Sequence, residues 1–397
     1  MKKRLIYYKL IKQLSHKNAL VLVGMRQVGK TTLMRQIFND VASAKVWLDL
    51  DNPLDQKTLE DINYDNIFLR LKDMAKDPLL KGERLYVFID EIQNFPETTK
   101  IMKYLIDHYS VKFIVTGSSS YYLKNLFPES LSGRKFLHEL TPLSFKEYLY
   151  FKDVINLDTT LEQTPDRTFR KTTEPEYYRY SQHYEDYLRY GGFPEVVTTD
   201  DPTFKVEILT NIFKSFFEKD LLLLSDFKDI KELRDLLILL TQRVGSLLDI
   251  TKLAGEIGVS RPKVYSYLEF LQGTFVIKLL PKFSRNVDKS IAGGRKVYFT
   301  DNGLLKVIAE INESQLFENA VVNQLTPYGV LAYYNKRNTS EIDIILNKSI
   351  ALEVKLTGTK EYVADLKKVS SGLGIDTYFI ISKKYISDPN TIFGLSL

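Results

Sequence analysis

A lysine, a pair of threonines and several paired carboxylates carry the chemistry open to this 397-residue chain. The run from Gly24 to Thr31, G-M-R-Q-V-G-K-T, fits the spacing G-x-x-x-x-G-K-[ST] without departure. It follows the apolar run ALVLV (19–23) and opens the helical run TTLMRQIF. A strand that turns into a helix there aims backbone N–H groups and a positive helix end at one point, where a polyphosphate is best neutralised. Gly24 and Gly29 permit a close backbone approach that a Cβ would block. Gly24, Gln27, Val28, Gly29, Lys30, Thr31 and Thr32 are therefore the candidate nucleotide-binding residues. Lys30 can reach the β- and γ-phosphates, and the Thr31 hydroxyl can ligate Mg²⁺.

Further acids and hydroxyls follow at strand ends. LYVFIDE puts Asp90 and Glu91 at the carboxyl end of an apolar strand, the edge at which open α/β sheets bind ligands. Asp90 is expected to hold Mg²⁺ and Glu91 to polarise an attacking water. Adjacent acids suit water activation better than transfer to a second substrate. The run KFIVTGSSS ends in hydroxyls, and Thr116 or Ser118 is the candidate sensor of a γ-phosphate. In LSGRKF, Arg134 stands before another strand, where its guanidinium could neutralise transition-state charge in cis or from a neighbouring subunit. The expected catalytic set is Lys30, Glu91, Ser118 and Arg134.

The residues GMRQVGKTTL, FIDEIQNFP, FIVTGSSS, LSGR before LTPLSFKEYL, and YLRYGGFPEVV together resemble a prokaryotic family of AAA+-type ATPases with a C-terminal domain of uncharacterised function. The likeness spans nearly the whole chain. It implies ATP as ligand, a Mg²⁺ requirement and a RecA/AAA-like sheet. Lys30, Thr31, Asp90 and Glu91 match the family's motifs.

Two other constellations lie downstream. DITKLAGEIGVSRPKVYSYLEFL (249–271) reads as helix–turn–helix, with Gly258 in the turn and Ser260 as N-cap. Leu253, Ala254, Ile257, Val264, Leu268 and Leu271 face inward, leaving Arg261, Lys263 and Ser266 as candidate DNA contacts. FVIKLLPKF and KVYFT would form a wing with Gly293 and Gly294 at its tip. Residues 251–300 hold nine Lys/Arg against three Asp/Glu, although the net charge of the chain is only +5. A local basic excess of that kind marks a nucleic-acid footprint. Near the C-terminus, Asp343 stands on one predicted strand and Glu353-Val354-Lys355 on the next. If those strands pair, the three side chains converge on one face, and Glu318 from a helix could add a third acid. This D…ExK pattern resembles the restriction-endonuclease-like fold and implies a metal-dependent nuclease site.

The elements that must position these residues are legible as periodicity. Apolar runs at 19–23, 46–50, 85–90, 112–117 and 136–140 alternate with helix-length stretches, which predicts a parallel sheet covered on both faces. The fold class expected is α/β, a P-loop NTPase sheet of AAA+ type followed by a helical winged-helix domain and a small α/β nuclease-like domain. The expected boundaries are 1–150 for the ATPase domain, 151–185 for a polar connector, 186–305 for the helical domain and 306–397 for the nuclease-like domain.

Composition narrows the function classes. The absence of Cys excludes disulfides, thiolate metal sites and thiol catalysis. His16, His108, His138 and His183 are too scattered to form a ligand cluster by spacing. Lys9 and Lys12 interrupt the apolar N-terminal residues, and the runs Leu221–Leu224 and Leu236–Leu240 fall short of the roughly 18 residues a membrane helix needs. The expectation is a cytoplasmic protein with no membrane partner, able to form a homo-oligomer. Two functions compete: a DNA-associated ATPase whose nucleotide state moves the C-terminal half, and a nucleotide-dependent switch or scaffold that binds a protein partner through an inactive nuclease-like domain.

Overall fold

A computed structural model describes residues 2–75, 78–80, 82–117, 133–156, 172–220, 227–285, 293–336 and 340–397. The chain divides into two compact units, Met1–Thr141 with Gly273–Phe275, and Pro142–Gln272 with Val276–Leu397.

The first unit is built on a five-stranded sheet of β1 (Ala19–Val23), β2 (Lys45–Asp49), β3 (Leu85–Asp90), β4 (Val111–Gly117) and β5 (Lys135–Glu139). The strand order is β2-β3-β4-β1-β5 and every pairing is parallel. All residues of β1 and β4 are buried, whereas the edge strand β2 alternates half-buried and buried positions. Central strands covered on both faces must be apolar throughout, which is why ALVLV and KFIVTG read as continuous runs. The charged exception inside them is Lys112, whose ammonium donates to the carbonyls of Gln13 (2.8 Å) at the end of α1 (Tyr7–Gln13) and of His16 (2.8 Å) and Asn18 (2.6 Å) beyond it. Helices α2 (Lys30–Asp40), α3 (Pro53–Thr58), α4 (Tyr64–Asp73) and α5 (Thr98–His108) complete the unit. Because every pairing is parallel, the carboxyl ends of β1, β2, β3 and β4 lie at one edge, and residues Gly24–Gly29 follow β1 there.

The second unit starts with α6 (Phe145–Phe151), opened by a capping box between Ser144 and Glu147. The segment expected to be a polar connector, 151–185, is shorter than that. Residues Glu174–Tyr190 form helix α7, and 157–171 lie outside the described residues. Tyr184, Tyr187 and Leu188 bury one stripe of α7, which tyrosine-rich, polar composition disguises in the sequence. Next come α8 (Pro194–Thr198), α9 (Pro202–Ser215), α10 (Phe227–Thr241), α11 (Ile250–Ile257) and α12 (Arg261–Gly273). Asp249 caps α11, and Gly258 ends it at φ 72°. The antiparallel pair β6 (Ile277–Pro281) and β7 (Arg295–Phe299) follows; 286–292 between them lie outside the described residues.

Helices α13 (Asn302–Ile308) and α14 (Glu313–Leu325) lead to β8 (Leu331–Lys336), β9 (Ser340–Leu346) and β10 (Ile350–Lys355). Helix α15 (Lys360–Gly372), β11 (Thr377–Ser382) and β12 (Thr391–Phe393) end the chain. The sheet order is β12-β11-β10-β9-β8, antiparallel from β8 to β10 and parallel from β10 to β12. The expected border at 305/306 is crossed by buried polar bonds, so both sides belong to one unit. The Asn319 amide on α14 donates to the Phe299 carbonyl (2.9 Å) and accepts the Phe299 N–H (2.8 Å). Asn302 donates to the carbonyls of Leu188 (3.1 Å) and Leu316 (2.9 Å).

The buried Asp301 joins the turn after α7 to the start of α13, accepting N–H bonds from Gly192 (2.7 Å) and Leu304 (3.0 Å). Burial pushes its carboxyl up from 3.8 to about 6. Its folded value exceeds its unfolded one, so the contribution to stability is full below about pH 4 and is lost as pH rises through about 6. The melting temperature of Asp301→Asn should therefore vary less across this window than that of the wild type. Asp301→Ala, which orphans buried donors, should lower stability by about 1–3 kcal/mol; an unchanged melting curve in Asp301→Ala would remove Asp301 from this role.

Candidate functional site

The loop from Gly24 to Gly29 is shaped by backbone conformations that most residues avoid. Gly24 (φ 146°), Gln27 (φ 62°) and Gly29 (φ 96°) all have positive φ, and Gly29 stands immediately before α2. A Cβ on Gly24 would overlap the carbonyl oxygen of Leu140, just after β5. The loop therefore needs glycine there for two reasons, conformation and space. Lys30 is the first residue of α2 and only 5% exposed. Its ammonium turns back on the loop and donates to the carbonyls of Gly24 and Met25, both at 2.9 Å. Thr31 follows half-buried and Thr32 exposed.

Asp90 ends β3 at 5% exposure. The hydroxyls of Thr116 and Thr31 both bond to its carboxylate. Burial raises its pKa, the two hydroxyls oppose this, and the nearby charges of Glu91 and Asp49 add to it. Glu91 adopts φ 52°, and its N–H donates to Thr116 Oγ1 at 3.1 Å. Its carboxylate accepts from the Gln93 amide. Thr116 is thus engaged with both acids and fixes one relative to the other. Ser118, the other candidate sensor, lies outside the described residues. Asp49, which pairs with Asp90 across β2 and β3, was not singled out by the sequence, although VWLDLD ends in the same way as LYVFIDE.

The donor set is all oxygen, from Thr31, Asp90 and the neighbouring Asp49 and Glu91, and it fits Mg²⁺, which takes one or two protein ligands and completes its shell with water and phosphate oxygens. Among the described residues no three acids or histidines are grouped to hold a metal by themselves.

Arg134 is placed far from this edge. Its carbonyl accepts the N–H of Ala19 at the start of β1 (2.9 Å), whereas the phosphate loop follows the other end. Five strand residues separate the two ends by about 16 Å. Its guanidinium pairs with Asp107 at 2.8 Å. A role in cis at this loop is therefore ruled out by strand length.

The downstream constellations fare unevenly. Ser260 caps α12, Val264, Leu268 and Leu271 are buried, and Arg261 and Ser266 are exposed. Lys263, however, pairs with Asp229 (2.6 Å) and Glu232 (2.8 Å) on α10, and Ser266 donates to the Pro262 carbonyl. At the other end of the unit β9 and β10 pair antiparallel, and Asp343, Glu353 and Lys355 do converge. Asp343 accepts the Val354 N–H (2.9 Å), and Lys355 lies 2.7 Å from Glu353 and 3.7 Å from Asp343. Glu318 joins them from α14 and accepts the Tyr298 hydroxyl at 2.6 Å. Burial first, then the Asp343 charge, raises both Glu318 and Glu353. Lys296 and Tyr298 on β7 were not read as part of this cluster. Lys296 lies 2.7 Å from Glu341 and 3.8 Å from Asp343, so two ammonium groups sit among the acids.

Residues 16–149 match the model of an AAA domain, and residues 181–315 match a domain of unknown function. The first unit accordingly has an α/β P-loop NTPase fold. An uncharacterised protein of Methanocaldococcus jannaschii is 28% identical over 90% of this chain and 79% of its own length. One of Haemophilus influenzae is 28% identical over 67% of this chain and 64% of its own length. A Walker-type ATPase of Pyrococcus abyssi aligns over 76% of this chain and 94% of its own, at 17% identity and a TM-score of 0.46. No helix among the described residues is long and apolar enough to cross a membrane.

The Gly24 geometry has a direct test. Gly24→Ala must displace the Leu140 carbonyl or abandon the loop's backbone, at a cost of about 1–3 kcal/mol for overpacking. A lowered melting temperature is expected, and a wild-type value would show that the loop does not need this glycine.

Proposed function

We propose that the first unit binds ATP with Mg²⁺ and hydrolyses it to ADP and phosphate. The observation that carries this reading is the joint placement of the loop, Lys30 and Thr31 opposite Asp90 and Glu91, with Thr116 tying the two acids together. In it, the Lys30 ammonium leaves the Gly24 and Met25 carbonyls for the β- and γ-phosphates, while loop N–H groups of Gln27, Val28 and Gly29 and the start of α2, with Thr32, accept the remaining charge. Thr31 and Asp90 would hold Mg²⁺, which supplies charge neutralisation at the phosphates. Glu91 takes the proton of a water whose oxygen attacks the γ-phosphorus as the bond to the bridging oxygen of ADP breaks. Ser118 remains the proposed γ-phosphate contact. Arg134, excluded from its own chain's loop, would serve the site of a second copy in a homo-oligomer.

For the second unit the geometry favours a nucleotide-responsive switch that binds a protein partner. The support is that Lys263, Lys355 and Lys296 are each already paired with acids of the same unit. A second reading, a winged helix that meets DNA through Arg261, Lys263 and Ser266 beside a metal-dependent nuclease centre, is favoured by the convergence of Glu318, Asp343, Glu353 and Lys355. It requires the lysine pairs to open.

Phosphate release measured on the full chain tests the first proposal. Lys30→Ala should abolish turnover, and Glu91→Gln should lower it by about 10²–10⁴-fold, the usual worth of a general base. Normal turnover in Glu91→Gln would remove Glu91 as the base. Incubation with duplex and single-stranded DNA and Mn²⁺ separates the readings of the second unit. No cleavage and no salt-dependent binding are expected; cleavage lost in Asp343→Ala would instead establish the nuclease reading.

A further inference from the structure

The residues before α1 lie along α2. The Gln36 amide donates to the Lys2 carbonyl at 3.0 Å, Lys3 pairs with Asp40 at 2.8 Å, and the Tyr7 hydroxyl donates to the same Asp40. Between these anchors Arg4 is 6% exposed, far more buried than a surface arginine. Its guanidinium is directed at the phosphate loop. Nη1 donates to the carbonyl of Val28 at 3.0 Å, and Nη2 donates to the carbonyl of Thr141 at 2.9 Å.

The Val28 contact matters because of what shares its peptide plane. In a trans peptide the carbonyl and the following N–H point in opposite directions. With the Val28 oxygen turned to Arg4, the Gly29 N–H is turned away from Arg4. The same contact keeps a carbonyl dipole, which would repel an anion, facing a cation. Gly29 has no side chain to hold that plane, and its neighbour Gln27 also sits at positive φ. The loop therefore has little local means of choosing this orientation, and Arg4 supplies it from a distant part of the chain. A planar fork suits the task, since one guanidinium reaches two carbonyls at once where an ammonium is a point donor. The Thr141 carbonyl fixes the other prong.

We propose that Arg4 is a positioning residue of the phosphate site: it sets the Val28–Gly29 peptide so that the Gly29 N–H serves as a phosphate donor. This rests on the reading of the loop as a nucleotide site. A donor of this kind holds substrate and transition state alike, so its loss should appear in KM and in ADP affinity and leave kcat largely unchanged.

The experiment is titration of the full chain with Mg-ADP, and ATP turnover, for wild type, Arg4→Met, Arg4→Lys and Lys30→Ala. Arg4→Met is expected to weaken ADP binding and raise KM by about tenfold, as for one misdirected charge-assisted bond, with kcat at saturating ATP little changed. Arg4→Lys should fall between it and wild type. Wild-type ADP affinity in Arg4→Met, or a loss confined to kcat, would overturn the proposal. Should Arg4→Met fail to fold, as judged by circular dichroism, Arg4→Lys decides: wild-type affinity there overturns it, and raised KM at unchanged kcat upholds it. Binding in wild type that is lost in Lys30→Ala but unaltered in both Arg4 variants rejects Arg4 alone. Failure of wild type to bind ADP at all rejects the nucleotide site, and this proposal with it.

Discussion

A carboxylate buried at the end of an apolar strand has to be neutralised, protonated or matched by a cation. Asp90 is in that position, and the rest of the first unit answers to it. The sheet order brings the loop after β1 and the hydroxyl of β4 to its two sides. Thr31 and Thr116 provide hydroxyl donors, which lower the cost of the charge without removing it. What they leave is a residual attraction for a cation, beside the loop proposed to receive an anion. In the proposed reading an Mg²⁺–polyphosphate pair would satisfy both demands at once, and neither half would do so alone. Lys30 meanwhile bonds to the loop's own carbonyls, which a ligand's phosphates could take over.

The second unit solves its charge problem differently. Its half-buried acids are met by lysines and a tyrosine of the same unit, and the cluster draws on β7, α14, β9 and β10 together. Such a network contributes little net stability when desolvation is counted, but breaking one partner is costly. It ties the helical middle to the C-terminal sheet, so the expected border at 305/306 runs within one compact unit.

Much of this was legible in the residues. The strands at 19–23 and 85–90 and the turn at Gly258 were readable because burial on both faces and left-handed backbone leave plain signatures. The convergence of Asp343 with Glu353 followed from strand pairing alone. What remained hidden was long-range. The basic excess across 251–300 overstated the exposed charge, because the acids that meet it, Asp229, Glu232, Glu341 and Asp343, lie outside that window. Helix α7 was masked because its buried stripe is mostly tyrosine, in a stretch with few aliphatic residues. Arg4 and Lys112 gave no signal, since a lysine or arginine bonded to backbone carbonyls has no partner motif to search for. Of the two placements left open for Arg134, in cis or from a neighbouring subunit, strand length removes the first, because the residue stands at the far end of β1.

The central claim is that the first unit is built for one Mg²⁺–nucleotide. Calorimetric titration of the Glu91→Gln chain with ATP, with and without Mg²⁺, tests it most directly, because binding is then read without turnover. The account predicts saturation at one ATP per chain, with affinity that falls when Mg²⁺ is withdrawn. The absence of saturable binding, or binding indifferent to Mg²⁺, would contradict it.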